Sequence, residues 1–462
     1  MSKDKEKEYM VTYKYRLYPT PAQEALLDTA LLSCCTIYNF CVEFSKDIWN
    51  ECGLTVTHRE LRELAKEALP AEHKALYSQV ARDVSMRFGK ARDGWFRARE
   101  RCKNNTASAA DRKHRAPGFR KARNYNSLTY PQFGFKILDK GAKHMPFGKG
   151  GRKRRWLRLS KIGDIVMVLH RPVIGNIKTC TVKRKANAWY VCFVCALTAE
   201  QYFEPQNNKR TAVGADIGIG SFAVFSDGTV IENPRLLKKE MKRLKKAQKC
   251  ASKKTKGSKR RVAANNKIAK IHAKIDDKRR DFHSQIAAAL VKRYGAMVWE
   301  DLSPGFMFSN HRLAQAASDI AVSQFFGILN WKCFRTHTPL VFVDPRNTSQ
   351  LCCRCGTHVQ KELSERRHEC PQCGLHLSRD LNAAVNILSR GLSLLPSGYT
   401  ALSQIQISGT AGTAGTGGSA SKGHGRRTSA AQPTNGCGVS SEDEMSMLCS
   451  GCKATAEARA SI

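Results

Sequence analysis

A chain of 462 residues, 42% of them hydrophobic, is long enough for two or three domains with separate cores. Its 78 Lys and Arg residues against 39 Asp and Glu give a formal net charge of +39, which indicates a polyanionic partner and favours nucleic acid. The polar start and the lack of a run of about eighteen apolar residues argue against secretion and membrane insertion, so we expect a cytoplasmic protein.

The first hundred residues predict one strand followed by three helices. Residues 9–18 alternate in polarity as a strand does. Capping-box patterns at Thr20–Gln23 and Thr57–Glu60 open the first two helices, and an apolar stripe from Leu76 to Trp95 marks the third. These stripes indicate a helical core.

Residues from about 105 to 205 predict a small β-barrel or sandwich. Basic loops at 113–123 and 149–155 alternate with short β-rich runs and turn residues. Cys192 and Cys195 form a CxxC pattern, but on a strand they point to opposite faces, which favours a place in the core. Most of the remaining cysteines are scattered and predict buried, reduced thiols.

From residue 211 the pattern becomes that of a mixed α/β domain. A buried strand that starts at 211 ends in a glycine-rich turn with Gly218 and Gly220, and a long helical stretch over 235–295 begins with a dense run of Lys and Arg. Strands and helices then alternate. The Gly-, Ser- and Thr-rich tail predicts disorder over 391–462, where Cys449 and Cys452 form only a weak metal-binding pattern.

Four cysteines form the most specific motif of the chain. Cys352 and Cys355 make one CxxC pair, and Cys370 with Cys373 makes a second one fourteen residues further on. Two such pairs allow four thiolates to bind one Zn²⁺ tetrahedrally. The spacing predicts a zinc ribbon, which is most often structural.

Three carboxylates stand at the ends of predicted elements. Asp216 ends the first strand of the α/β domain, Glu300 ends a later strand, and Asp380 begins the final helix. Taken singly, each has an ordinary structural alternative: a turn residue, a solvated strand end, or a charge favoured by the helix dipole. Together they predict a Mg²⁺ site, in which two ions would catalyse phosphodiester cleavage.

The motifs in combination resemble one known family. DIGIG at 216, EDL at 300, TSQ at 348 with the CxxC pairs, and RDLNAAVNI at 379 are similar to the nuclease core of TnpB, also called OrfB. Members are transposon-encoded, RNA-guided DNA endonucleases, regarded as the ancestor group of the type V CRISPR effectors. The resemblance runs from about residue 9 to 390 and includes the N-terminal YRLYPTPAQ, which matches a segment described as helix-turn-helix. Cys353 and Trp299 depart from the usual family residues without altering a metal ligand.

The resemblance implies a site and an architecture. Asp216, Glu300 and Asp380 would be catalytic and bind Mg²⁺, and the four ribbon cysteines would bind one structural Zn²⁺. The implied fold is multidomain α+β, with a RuvC-like (RNase H-like) nuclease domain. The implied domains are a wedge β-barrel over 1–20 and 105–205, a helical recognition insert over 21–104, the nuclease domain over 206–346 and 376–390, a target-binding zinc ribbon over 347–375, and a disordered tail over 391–462.

The resemblance also implies an activity and partners. A guide RNA would direct cleavage of double-stranded DNA beside a short adjacent motif, with the protein acting as a monomer near the prokaryotic nucleoid. The basic run over 238–261 and the loops at 113 and 149 would line nucleic acid. Three alternatives stay open: a compact CRISPR effector, a guided DNA-binding regulator without cleavage, and a nuclease that acts on branched DNA without a guide.

Overall fold

The computed structural model of this protein describes residues 7–68, 76–139, 154–186, 188–205, 208–302, 311–362 and 365–404. The chain divides into two compact units, Met1–Gln201 and Tyr202–Ile462. The expected disorder beyond residue 404, the tail pair Cys449 and Cys452, and residues 149–153 of the second basic loop lie outside the described residues.

One seven-stranded antiparallel sheet forms the first unit. Its strands are β1 (Tyr9–Tyr18), β2 (Ser127–Tyr130), β3 (Phe135–Leu138), β4 (Arg154–Leu159), β5 (Gly163–Val168), β6 (Asn176–Lys185) and β7 (Ala188–Leu197). They pair in the order β2-β6-β7-β1-β5-β4-β3, which is one continuous sheet and therefore not a two-sheet sandwich. Within the described part of the chain no pairing joins β2 to β3, so closure into a barrel stays a prediction.

The helices of the first unit lie mainly between β1 and β2 in the chain. They are α1 (Pro21–Cys52), α2 (His58–Ala68), α3 (Ser78–Lys103), α4 (Ala109–Lys113) and a 3₁₀ turn at Ala122–Asn124, with the short α5 (Ala199–Tyr202) after β7. Both predicted capping boxes are confirmed. The Gln23 amide donates to Thr20 Oγ1 over 3.3 Å, and the Thr57 amide donates to Glu60 Oε2 over 2.7 Å.

Helix α1 is long and apolar enough to cross a membrane by length and composition. Polar residues such as Asp28 interrupt its apolar run, so the sequence contains no continuous apolar segment of about eighteen residues there. More than half of its most apolar window is buried in the fold, where Leu27 and Cys34 have no exposed surface. Cys41 faces Ser85 of α3 at 3.9 Å, so the apolar face of α1 forms core with the helices of its own unit.

A mixed sheet forms the centre of the second unit. Its strands are β8 (Thr211–Ile217), β9 (Ser221–Phe225), β10 (Val230–Glu232), β11 (Ala296–Glu300), β12 (Leu340–Val343) and β15 (Thr400–Ala401), while β13 (Arg367–Glu369) and β14 (His376–Ser378) form a separate hairpin. The order is β10-β9-β8-β11-β12. The first three strands are antiparallel, and β11 and β12 run parallel to β8.

Helices cover both faces of this sheet. They are α6 (Leu236–Ser252), α7 (Lys259–Arg293), α8 (His311–Ile320), α9 (Val322–Arg335) and α10 (Arg379–Leu392). Alternate residues of β11 serve the two faces: Trp299 packs with Phe325 of α9, and Val298 packs with Leu388 of α10. Every residue of β11 is therefore buried, as expected for a strand covered on both sides.

The end of the ordered chain differs from the sequence prediction. Residues 391–404, assigned to the disordered tail, belong to the fold, because β15 pairs in parallel with the start of β8. The Leu402 amide donates to Ala212 O over 2.8 Å, and the Gln404 amide donates to Ser226 O over 2.9 Å. The low-complexity composition begins only after this strand, so the predicted boundary at 391 was placed too early.

The basic run forms a helical hairpin. Helices α6 and α7 pack through a small apolar seam that includes Leu244 and Ile271, which leaves most Lys and Arg side chains of α6 exposed. Asp319 of α8 caps the start of α6 by accepting hydrogen bonds from the amides of Leu237 and Lys238 at 2.8 and 3.3 Å. The hairpin is thereby fixed to the rest of its unit at one end.

Candidate active site and metal centre

Sheet register brings two of the three predicted carboxylates to the same edge. Ala215 of β8 lies opposite Trp299 of the parallel strand β11. The next residue along each strand is Asp216 and Glu300 respectively, so the two acids sit side by side where these strands end. Asp216 is half-buried and Glu300 is 8% exposed.

Helix α10 contributes Asp380 because it lies directly on β8. A Cβ atom on Gly214 would stand 2.2 Å from Ala384 O, so only glycine permits this approach. Asp380 is one turn before Ala384, about 6 Å along the helix axis. Asp216 is two residues past Gly214, about 7 Å along the strand. The close crossing thus fixes the third acid near the other two.

The three carboxylates form one electrostatic cluster. Burial and the charges of Glu300 and Asp380 raise the pKa of Asp216 well above its ordinary value, and Arg379 opposes that rise. Burial also raises the pKa of Glu300, against a hydrogen bond from Thr348. Repulsion between carboxylates that share a partly open edge is relieved by a cation, so this donor set fits a hard divalent ion such as Mg²⁺.

The cluster of acids is looser than the cluster of cysteines. In the described part of the chain, only Cys352, Cys355, Cys370 and Cys373 form a group of three or more His, Cys, Asp or Glu side chains with all ligand atoms within 4.8 Å of one another. The three carboxylates are therefore spaced more widely. They are still close enough for the charges of Glu300 and Asp380 to raise the pKa of Asp216.

The cysteine cluster has the dimensions of a tetrahedral thiolate site. The sulfur atoms of Cys352 and Cys373 are 3.6 Å apart, and those of Cys355 and Cys370 are 3.5 Å apart. These separations are too long for disulfides. They approach the sulfur–sulfur distance of about 3.8 Å that four bonds of about 2.3 Å to one zinc ion require. The cluster can hold a metal ion, as the sequence spacing predicts.

The two halves of the cluster share one backbone design. The Gly356 amide donates to Cys352 O and the Gly374 amide donates to Cys370 O, each over 2.9 Å. Both glycines have positive φ, 75° and 65°, which closes each turn around its cysteine pair. Cys353, although adjacent, is a separate buried thiol, and burial raises its pKa to about 11.

Polar side chains of α10 attach the cysteine region to that helix, and the sequence motifs did not predict these contacts. Asn386 Nδ2 donates to Thr348 O and Leu351 O over 2.8 and 2.7 Å, and Asn382 Nδ2 donates to Leu351 O over 2.7 Å. Asn382 Oδ1 accepts a hydrogen bond from the Cys353 amide over 3.0 Å. The available signal was the four-residue spacing of the two asparagines, which places both on one face of the helix.

Fold and site define a class of multidomain α+β protein that combines an acidic sheet edge with a four-cysteine metal centre. Three family models match separate stretches: "Probable transposase" (OrfB) over residues 192–311, "Cas12f1-like, TNB domain" over 323–387, and the OrfB "Helix-turn-helix domain" over 10–53. Over these stretches the chain resembles the TnpB/OrfB family. Residues 10–53 themselves fold as strand β1 and one long helix, so that stretch contains no helix-turn-helix.

Curated relatives agree with this family. A protein of Streptomyces pristinaespiralis named "Putative RNA-guided DNA endonuclease" is 38% identical over 48% of this chain and 54% of its own length. InsQ of Escherichia coli K12, which has the same description, is 29% identical over 61% of this chain and 70% of its own length. The chain thus spans about half the length of the Streptomyces relative. A solved Cas12f1–sgRNA–target DNA complex aligns with 82% of this chain and 98% of its own, at 14% identity and a TM-score of 0.47.

Proposed function

We propose that this protein is an RNA-guided DNA endonuclease with a RuvC-like active site at Asp216, Glu300 and Asp380. The observation that carries the proposal is the shared sheet edge, where strand register places Asp216 beside Glu300 and the close crossing of α10 over β8 brings Asp380 near them. The raised pKa of Asp216, to which burial and the charges of the other two acids contribute, is consistent with a functional site at this edge. Similarity to the TnpB/OrfB family and the names of the curated relatives support the same activity.

The topology of the second unit supports a RuvC-like assignment. Numbered in chain order, its five main strands follow the order 3-2-1-4-5, with an antiparallel first half and a parallel second half. This topology places the end of the first strand beside the end of the fourth and close to a late helix, and these three elements contribute Asp216, Glu300 and Asp380. The arrangement is consistent with the RuvC-like core that the sequence motifs resemble.

In the proposed mechanism, Asp216, Glu300 and Asp380 would hold two Mg²⁺ ions. Bound Mg²⁺ would supply an activated water and stabilise the leaving oxygen of the phosphodiester. The chain's own residues prepare this site. Gly214 admits α10 so that Asp380 approaches the edge, and Arg379, 3.8 Å from Asp380, moderates the repulsion between the acids. The cysteine cluster would hold one structural Zn²⁺.

The charge of the chain supports guide RNA and target DNA as partners. A net charge of +39 and the exposed basic helix α6 favour contacts with phosphates, which are sensitive to salt and independent of sequence. Sequence choice would then rest on base pairing between the guide and its target. We expect the protein to act as a monomer in the cytoplasm.

The test begins with the RNA that copurifies with the full chain. We expect a discrete non-coding species, and the purified complex should cut a plasmid that carries the matching target when Mg²⁺ is added. Asp216→Ala should reduce cleavage at least about a thousandfold and leave target binding nearly unchanged. Cleavage that survives this substitution would refute the metal assignment.

Other outcomes would select the alternative functions. Guided binding by wild-type protein without any cut would identify a DNA-binding regulator. Cleavage of branched DNA by RNA-free protein would identify a nuclease that needs no guide. A copurified RNA encoded by repeats and spacers beside the gene would identify a compact CRISPR effector, whereas an RNA that overlaps a transposon end would identify a transposon-guided enzyme.

A further inference from the structure

Thr348 lies between the two candidate metal sites. It is 3% exposed, and its hydroxyl contacts Glu300 Oε1 and also stands 3.1 Å from Pro345 O. A hydroxyl has one proton to donate, and an ionised carboxylate is a stronger acceptor than a backbone carbonyl. Thr348 therefore donates to Glu300 when that carboxylate is charged.

The backbone at Thr348 is fixed from two directions. The turn begins at Asn347, whose carbonyl oxygen accepts hydrogen bonds from the amides of Gln350 and Leu351 at 3.1 and 3.0 Å. Its far end is held by α10, because Asn386 donates to both Thr348 O and Leu351 O. Cys352, the first residue of the cysteine cluster, follows directly. The turn over 347–351, held by hydrogen bonds at both ends, thus connects Thr348 and its contact with Glu300 to the cysteine cluster.

We propose that Thr348 is a positioning residue through which the metal-bound cysteine cluster holds Glu300 in the orientation needed to bind Mg²⁺. The proposal rests on the proposed nuclease function and extends it to a residue outside the acidic triad. Partners that orient a ligating carboxylate typically change metal affinity by about 10- to 100-fold when they are removed. A carboxylate held at only one oxygen keeps its second oxygen available for the ion.

The chain offers a conservative variant and a matched control. Thr348→Val keeps the shape of the side chain and removes the hydroxyl, whereas Thr348→Ser restores it. Thr338 is also a buried threonine of the same unit, 5% exposed, and its hydroxyl pairs with that of Thr336 at 2.8 Å. Thr338→Val therefore removes a buried hydrogen bond that involves no carboxylate.

Two measurements test the proposal. In the full chain freed of RNA, the rise in Tm with added Mn²⁺ reports metal binding without any cleavage. In the RNA-bound complex, the Mn²⁺ concentration that half-saturates cleavage reports the same site in the working enzyme. We expect Thr348→Val to weaken Mn²⁺ binding about tenfold or more in both assays, and Thr348→Ser and Thr338→Val to stay close to wild type.

The link to the cysteine cluster is tested by a double-mutant cycle. Cys352→Ser should weaken Mn²⁺ binding in the wild-type background and add little in the Thr348→Val background, because both changes release the same carboxylate. If the losses of Mn²⁺ affinity from Cys352→Ser and Thr348→Val were fully additive, the link between the cysteine cluster and Glu300 would be overturned.

The positioning role of Thr348 has its own test. It would be overturned if Thr348→Val and Thr338→Val lost the same Mn²⁺ affinity, or if Thr348→Val kept the wild-type Mn²⁺ response.

Failure of the proposed function has a different signature. Wild-type protein that binds Mn²⁺ but cuts no guided target would refute the nuclease activity, while the Tm assay would still compare the variants. Wild-type protein whose Tm does not respond to Mn²⁺ would refute the metal site and the positioning role together.

Discussion

The cysteine cluster and the acidic edge are built in opposite ways. All four cysteines lie between residues 352 and 373, and each pair is closed by its own backbone hydrogen bond. The acids lie between residues 216 and 380 and meet only through strand register and the crossing of α10 over β8. A local motif fixes the first site, whereas the second exists only in the folded domain. The cysteine cluster should therefore form independently of the acidic edge, whereas the acidic edge should fail whenever the packing around it changes.

The largest expected effect is the loss of the cysteine cluster. If the cluster holds one Zn²⁺ as proposed, Cys352→Ser should lower the zinc content well below one ion per chain after dialysis against a chelator, because the site loses one of its four thiolates. Structural zinc contributes about 10 kcal/mol or more of apparent binding free energy in small zinc domains. Metal analysis and limited proteolysis within residues 352–378 measure the loss of zinc and of local structure.

Cys353→Ser is the matched control for that substitution. Cys353 is the neighbouring residue, but its thiol is buried outside the cluster and pairs with none of the four sulfurs. We expect this variant to retain one zinc ion per chain. Loss of zinc in both variants, or in neither, would contradict the assignment of the ligands.

The second effect concerns the packing that assembles the acidic edge. In Gly214→Ala the new methyl group would meet Ala384 O and the Leu388 amide at 2.2 and 2.6 Å, and backbone atoms cannot move aside as a side chain can. Overpacking of this kind costs about 3 kcal/mol, and it should displace Asp380 as well. Urea unfolding measures the loss of stability, and the Mn²⁺-dependent rise in Tm measures the loss of the site.

Gly220→Ala, in the turn that follows β8, serves as the control for Gly214→Ala. A Cβ atom there meets nothing within 4 Å, so stability should change by less than about 0.5 kcal/mol. If Gly214→Ala left both stability and the Mn²⁺ response intact, the close crossing of α10 over β8 would be disproved. Zinc content should stay at one ion per chain in both variants, since the cysteine cluster does not depend on this crossing.

The same contrast explains how much the sequence could predict. The capping boxes at Thr20 and Thr57 and the four-cysteine spacing depend on partners within a few residues or on a fixed ligand pattern, so inspection finds them. The contact between Thr348 and Glu300 depends on the register of β11 and the rotation of α10. No sequence spacing encodes those two quantities.

Tertiary context also accounts for one boundary and one helix that composition misjudged. Thr400–Ala401 are only two residues long and precede a low-complexity tail, so the sequence does not predict a strand there. They join the sheet because they pair in parallel with Thr211 and Ala212 at the start of β8. Helix α1 interleaves buried residues such as Leu27 with exposed polar residues such as Asp28, so its sequence contains no uninterrupted apolar run. In both cases the neighbouring element decides the structure.

The smallest expected effect is a gain of stability at the acidic edge. Without metal, Asp216 is repelled by Glu300 and Asp380, so its charge costs stability at neutral pH. Asp216→Asn keeps the size of the side chain and removes that charge. We expect the free energy of unfolding in the presence of EDTA to rise by about 1 kcal/mol, as is common when a functional site is neutralised.

Asp227 provides the opposite case among the half-buried acids of the same sheet unit. Although burial alone raises its pKa, hydrogen bonds from Tyr294 and Thr229 lower it, and Tyr294 Oη donates to Asp227 Oδ2 over 2.7 Å. Asp227→Asn should therefore destabilise the protein by about 1 kcal/mol and leave metal binding unchanged.

Added Mg²⁺ should reverse the relative stability of wild type and Asp216→Asn. Wild type is then stabilised by the bound ion, which Asp216→Asn binds only weakly. If Asp216→Asn were less stable than wild type in EDTA, the three acids would not repel one another, and the contrast between a self-sufficient cysteine site and an acidic edge that needs its metal would fail.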